Sequence, residues 1–358
     1  MKMKKSTFII VLFFYHLLFV LISYHYYVTK GGDAQLYWHT TNYSHHKSWV
    51  YFLNYGTDFI LLINYPFIKL GLPFWFGFLL YSCIGFFGIL KWMQWAEHVF
   101  GSHVQYKGIN VLWIVLLFPS LHFWTAALGK EPLVFWGIAC VFYAITTQKY
   151  NTFGFIVGSL LLIIIRPHVA LMLLMAAVLV FVFQKKYSLR FRLILAATGV
   201  SVLGALFYMV LQITKIKYLD WNRIHYYNDY SILSFKHSGG YVPMLDYPYF
   251  YRLFSFNFRP LFFEVPSVFG FFSALENVLL LLVYGLALVI TIRYYSKIGF
   301  PEWMKITFLF ALIASLLYIQ RYANFGIFMR TKIMYQPFVV IALFCIIKQG
   351  LSFRNAKT

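Results

Sequence analysis

Acid is scarce in this chain. Ten Asp and Glu stand against 30 Lys and Arg, and charged residues of both signs fill only 11% of 358 positions. A soluble domain carries about 25% charged residues, so the composition sets a water-solvated globular class aside. Cysteine is nearly absent as well. Cys83, Cys140 and Cys345 lie far apart inside apolar runs, which matches neither a disulfide framework nor a zinc spacing. Also missing are a basic amphipathic helix and any recognised nucleic-acid motif. The net charge of +20 comes from basic residues scattered at the ends of apolar segments. That distribution fits the positive-inside rule and anionic lipid headgroups, with no nucleic-acid partner.

What the chain has in plenty is apolar sequence, 61% of it. A membrane span needs about 20 such residues. Runs of that kind cover 8–27, 74–92, 109–128, 133–147, 191–214, 271–292, 306–318 and 333–347. The first follows Lys2, Lys4 and Lys5, exceeds the roughly 7–15 apolar residues of a signal-peptide core, and has no small-residue cleavage site after it. It reads as an uncleaved span. The stretch 151–186 is too long for one span and is interrupted by Arg166-Pro167. Proline ends or kinks a helix at the residue before it, so two short spans are expected to meet at positions 166–168. The expected fold is an all-α polytopic membrane protein of about ten transmembrane helices, organised as a single integral membrane domain over 1–358.

Orientation follows from basic residues. The N-terminus, 185–192, 293–305 and 348–357 are all basic and belong on the cytoplasmic face. Parity then requires TDFILLINYPFIKLG (57–71) to be an amphipathic helix lying on the outer face. The expected outer loops are 28–73, 119–132, the corner 166–168, the long loop 215–267 before the eighth span, and 320–332. Both termini face the cytoplasm in this reading, and any chemistry falls on the outer side.

The few acids can be weighed singly. Asp33, Glu131 and Glu276 abut apolar runs, where an ionised group is costly and is usually paired or functional; Asp58 shares the first outer loop with Asp33. Outer-face cations are Lys130, Arg166, His168, Arg252, Arg259, Arg321 and Arg330. The positive-inside tendency disfavours so many there, and an anionic ligand is one compensation, since the arginine fork binds phosphate bidentately. Arg166, at the break between two apolar helices, is the sharpest instance. An arginine snorkelling to the headgroups is the competing reading. FPSLHFWTAALGKEPLVFW (118–136) reads as a broken helix hairpin: Pro119 stops one helix, Ser120 can cap a short piece, and Gly129 ends it. Lys130 and Glu131 then open the next helix, a natural anion site or simply a charged pair closing a corner. YFYRLFSFNFRPLFFEVP (249–266) interleaves aromatics with Arg252 and Arg259, suiting sugar and phosphate contact or an interfacial belt. His39, His45 and His46 follow Asp33 without any structural zinc spacing.

The order of these parts resembles the C-class membrane glycosyltransferases (GT-C). A first span leads at once to the outer acid of GGDAQLYW (31–38), and the amphipathic segment from Gly56 and a returning span follow. FPSLHFWTAALGKEPLVFW, IIIRPHVAL (163–171), FRPLFFEVPSVFGFFSALEN (258–277) and NFGIFMRTKIMYQPF (324–338) also look like segments of bacterial surface-polysaccharide membrane proteins, including O-antigen-polymerase-like ones. The resemblance implies a polyprenyl-(pyro)phosphate-linked sugar donor, a glycan or lipid acceptor, other polysaccharide-assembly proteins as partners, and residence in the bacterial inner membrane. It gives Asp33 the acid/base role, with Asp58 and Glu131 as further carboxylates. Arg166, Arg252, Arg259, Arg321 and Arg330 become candidate phosphate ligands, with Lys130 and His168 beside them. No cofactor is fixed. A divalent metal is compatible with the family, although the acidic pair often seen in its first loop is absent, Asp33 being followed by Ala34 and Gln35. A transporter or flippase of lipid-linked oligosaccharide and a noncatalytic assembly protein are the alternatives.

Overall fold

The computed structural model describes residues 4–40, 48–101, 105–106, 109–214, 220–265 and 267–355, and it is almost wholly helical. His45 and His46 lie outside the described residues. The chain forms two compact units, Met1–Ala170 and Leu171–Thr358.

The first unit contains α1 (Lys5–Lys30), α2 (Asp33–His39), α3 (Thr57–Lys69) and α4 (Phe74–Phe100). A two-stranded ladder follows, β1 (Gln105–Tyr106) against β2 (Ile109–Asn110), then α5 (Val111–Leu116), α6 (Pro119–Ala126), α7 (Lys130–Thr147) and α8 (Phe153–Ile165). α9 (Pro167–Val182) starts here and continues into the second unit. The second unit adds α10 (Leu189–Thr214), α11 (Trp221–Leu233), α12 (Tyr249–Phe258), α13 (Val268–Arg293), α14 (Glu302–Tyr318), α15 (Phe325–Lys332) and α16 (Gln336–Asn355).

Among the described residues, five helices are long and apolar enough to cross a membrane: α1, α4, α10, α13 and α16. The pair α6–α7, bent by 114°, makes a sixth if counted as one span. The expected spans at 151–186 and 306–318 appear as helices of 13, 16 and 17 residues (α8, α9, α14). These are shorter than the roughly 20 residues a 30 Å hydrocarbon core asks for. The break at 166–168 is where the sequence puts it: α8 ends at Ile165, Arg166 is its C-cap, and α9 starts on Pro167. The segment 57–71 is helical as α3.

Two local expectations change. The run 109–128 is not one helix. Asn110 caps α5 by accepting from the Leu112 amide, α5 stops at Leu116, and α6 begins at Pro119 rather than after a Ser120 cap. Proline has no N–H to lose and a φ preset for the first helical turn, and Phe118 before it is extended. The long segment 215–267 is also more than a loop, since it holds α11, a 3-10 turn at Met244–Asp246 and α12.

Packing in the first unit centres on α4, which lies against α7 and α6, with α1 on α6 and α8 on α7. Lipid tails are as apolar as leucine, so close van der Waals contact and hydrogen bonds must hold such helices together. Gly85 supplies the closest approach. A β-carbon there would stand 1.9 Å from the Thr125 carbonyl oxygen, so only glycine lets α4 and α6 meet. Trp95 donates its indole N–H to Thr146 Oγ1 at 2.9 Å across α4 and α7. His16 and His122 meet through their Nδ1 atoms at 2.9 Å, while His16 Nε2 lies 3.1 Å from the Ser82 carbonyl oxygen and His122 Nε2 lies 2.6 Å from that of Leu116. These contacts seat α6, and with it the α6–α7 corner. In the second unit α16 packs against α13 and α14, and α12 bridges α13, α14 and α15.

Candidate functional site

Four helix ends of the first unit meet around the sequence GKE at 129–131. The approach begins at Gly31 and Gly32, whose φ angles of +72° and +121° lie in the region glycine tolerates best. They turn the chain sharply off α1 so that α2 starts at Asp33, where an acid suits the positive end of the helix dipole. Gln35 donates to the Tyr27 carbonyl at 2.8 Å, anchoring α2 to α1. Tyr81 donates to Asn64 Oδ1 at 3.0 Å, and Asn64 donates to the Tyr37 carbonyl at 3.1 Å. That chain ties α2 to α3 and α4. Asp33 and Tyr37, four residues apart, share one face of α2.

Tyr37 is the contact with the corner. A β-carbon at Gly129 would stand 3.8 Å from the Tyr37 ring and 3.2 Å from Glu131 Oε2, and Lys130 Nζ lies 6.0 Å from the centre of that ring. Lys130 also donates to Thr57 Oγ1 at 3.0 Å, where α3 begins. Asp58, in the first turn of α3, accepts from Asn54 at 3.0 Å. The Gly56 amide donates to the Ile164 carbonyl at 2.7 Å, which pins the start of α3 to the end of α8. Arg166 follows at once. Its Nη2 pairs with Glu131 Oε1, and both side chains are buried. An ion pair shielded from water is costly to break, because removing one partner strands the other charge. Arg166 Nε is buried and meets no acceptor among the described residues. Half-buried His168 sits two residues on, in the first turn of α9.

The first unit therefore brings Lys130, Glu131 and Arg166 to one corner, with Asp58 next to Thr57 at the start of α3, Asp33 one turn before Tyr37 on α2 and His168 two residues after Arg166. The other four candidates belong to the second unit, where the described contacts are internal. Arg252 donates to the carbonyls of Tyr247 and Leu245 at 2.9 and 3.1 Å, clamping the turn before α12. Arg259 pairs with Glu264 and donates to Tyr247 Oη and Ser255 Oγ, both at 3.2 Å. Arg321 donates to Tyr227 Oη at 2.8 Å and lies 4.1 Å over that ring. Arg330 is half-buried on α15. Among the described residues no group of three His, Cys, Asp or Glu could hold a metal ion.

Sequence reasoning passed over several residues that build these sites. Thr57, Tyr37 and Asn64 position the corner, and nothing in their local sequence marks them. Lys332 is the larger omission. It is 3% exposed and its ammonium donates to Asn277 Oδ1 at 2.9 Å and to the carbonyls of Asn257 and Arg259 at 3.1 and 3.3 Å. Burial pulls its pKa down to about 7, and the charge of Glu276 opposes that pull. Compared with family models, curated proteins and solved structures, the chain matches none.

Proposed function

We propose that the chain is a membrane glycosyltransferase or polymerase of the GT-C kind, using a polyprenyl-(pyro)phosphate-linked sugar on the outer membrane face in surface-polysaccharide or glycoconjugate assembly. Ten spans, two cytoplasmic termini and a bacterial inner-membrane location belong to the same reading. The observation that carries it is Arg166. A buried guanidinium paired with Glu131, the residue after Lys130, and with an Nε that meets no acceptor among the described residues, suits an anionic oxygen of a ligand.

The chemistry follows from the charges. The acceptor hydroxyl oxygen forms a bond to the anomeric carbon as the bond from that carbon to the donor phosphate breaks, and the electron pair leaves on the phosphate. Arg166 and Lys130 meet that growing charge, and such prearranged donors often supply the largest share of a rate enhancement. Asp33 takes the hydroxyl proton, a role that typically contributes 10²–10⁴-fold. Glu131 holds the Arg166 fork in place. Arg252, Arg259, Arg321 and Arg330 stay candidate phosphate ligands in this reading.

The test is turnover of a radiolabelled polyprenyl-pyrophosphate-linked sugar by the purified full chain. Asp33→Asn should lower kcat by at least about 10²-fold with thermal unfolding unchanged. Full turnover by that variant removes Asp33 from the chemistry. Facilitated movement of the lipid across a bilayer without sugar transfer supports the transporter or flippase reading instead.

A further inference from the structure

At the other end of the first unit, a cleft of about 480 Å³ opens between α1, α4 and α7. Its walls are apolar, formed by Ile9, Phe87, Leu90 and Met93, with Trp136 from α7. Its polar groups are Lys5, Lys91 and Gln94. Lys5 opens α1, about 37 Å of helix from Lys30 and the glycine turn that leads into the proposed site. The cleft and the site thus mark opposite ends of α1.

The electrostatics of the cleft are one-sided. Lys5 pairs with Glu97 at 2.5 Å. Lys91 donates to Gln94 Oε1 at 3.0 Å and lies 3.6 Å over the Tyr143 ring. The one carboxylate in these contacts goes to Lys5, and Lys91 is matched by a neutral amide and an aromatic face. An ammonium at a membrane boundary with apolar walls below it is complementary to an amphiphile with an anionic head. The length of α1 places this cleft at a bilayer surface when the other end of the helix is at the opposite one.

We propose that this cleft binds an anionic phospholipid of the surrounding bilayer, its phosphate on Lys91 and Lys5 and the start of an acyl chain along Leu90, Phe87 and Ile9. Tyr143 and Gln94 hold the Lys91 ammonium at the mouth. The occupant is bulk lipid and not the polyprenyl donor, which the opposite end of the unit is proposed to take.

Titration of the delipidated full chain with phosphatidylglycerol or phosphatidylcholine, read by native mass spectrometry and thermal shift, tests this. Phosphatidylglycerol should bind more tightly than phosphatidylcholine. Lys91→Gln should weaken phosphatidylglycerol by about fivefold while leaving phosphatidylcholine unchanged, and Lys149→Gln, outside the cleft, should change neither. Leu90→Trp, which fills the apolar half, should weaken both lipids. Equal binding of the two lipids by the wild-type chain overturns the proposal, as does an intact phosphatidylglycerol preference in Lys91→Gln. Displacement of phosphatidylglycerol from this cleft by a polyprenyl phosphate overturns the assignment to bulk lipid. If Lys91→Gln does not fold, Lys5→Gln carries the same test, with the same outcomes deciding.

Discussion

Two buried cations, one in each unit, show how differently a charge can be kept out of water. Lys332 has three N–H groups and three oxygens around them, all at hydrogen-bond distance. Arg166 has five donors; Nη2 reaches Glu131, while Nε faces no acceptor among the described residues. A cation whose donors are all met stitches elements together, here α12, α13 and α15. A cation with a donor left over, in a corner built from four helix ends, is where a ligand's oxygen would complete the set. Buried groups are mostly satisfied. Arg166 Nε is one of seven buried side-chain atoms without a hydrogen-bond partner among the described residues, Arg321 Nε being another. It stands out for belonging to a buried charged group at a helix break.

The largest expected effect comes from Lys332. Its pKa falls from 10.5 to about 7 on folding, so the unfolded chain binds one more proton between those limits. Stability should therefore climb as pH rises from about 7 toward 10.5, by roughly 5 kcal/mol at 1.36 kcal/mol per unit. Below pH 7 the full penalty is present and this contribution stops changing. Thermal or denaturant unfolding of the wild type and of Lys332→Met across that range isolates it: the difference between the two should carry the slope, and parallel curves would contradict the assignment.

Next comes the ion pair at the corner. Glu131→Ala strands the Arg166 charge and should lower unfolding stability by about 3–5 kcal/mol. The double variant Glu131→Leu with Arg166→Met should recover most of that loss, because apolar groups of similar volume replace a buried pair at little expense, yet it should remain without turnover. Recovery of turnover along with stability would make the pair purely structural.

Smaller effects set the scale. Lys130→Gln removes the hydrogen bond to Thr57 and should cost about 1 kcal/mol of stability, with a larger relative loss in turnover than in melting temperature. Lys5→Gln opens a bridge in which the lysine is 54% exposed and should shift stability by less than about 1 kcal/mol. A loss there as large as that of Glu131→Ala would erase the distinction between buried and surface charge on which the comparison rests.

Much of the frame was legible because its signals are local. Arg166-Pro167 interrupts an apolar run, and the chain breaks there. Gly129 and Pro132 flank Lys130 and Glu131, and α7 begins between them. Other features depend on where distant residues meet. Glu131 and Arg166 lie 35 positions apart, and no periodicity announces that they pair. Arg330 and Lys332 look alike in sequence, yet two residues along a helix turn the side chain by about 200°; one is half-buried and the other sealed among carbonyls. The break inside 109–128 was hidden because α5 and α6 are both apolar, so hydropathy ran on while the backbone did not.

The most direct measurement is binding of a long-chain polyprenyl pyrophosphate to the wild-type chain and to the Glu131→Leu, Arg166→Met double variant, followed by thermal shift in neutral detergent. Strong stabilisation of the wild type and none of the double variant is expected, with both folded before ligand is added. Equal stabilisation of the two proteins would contradict that expectation.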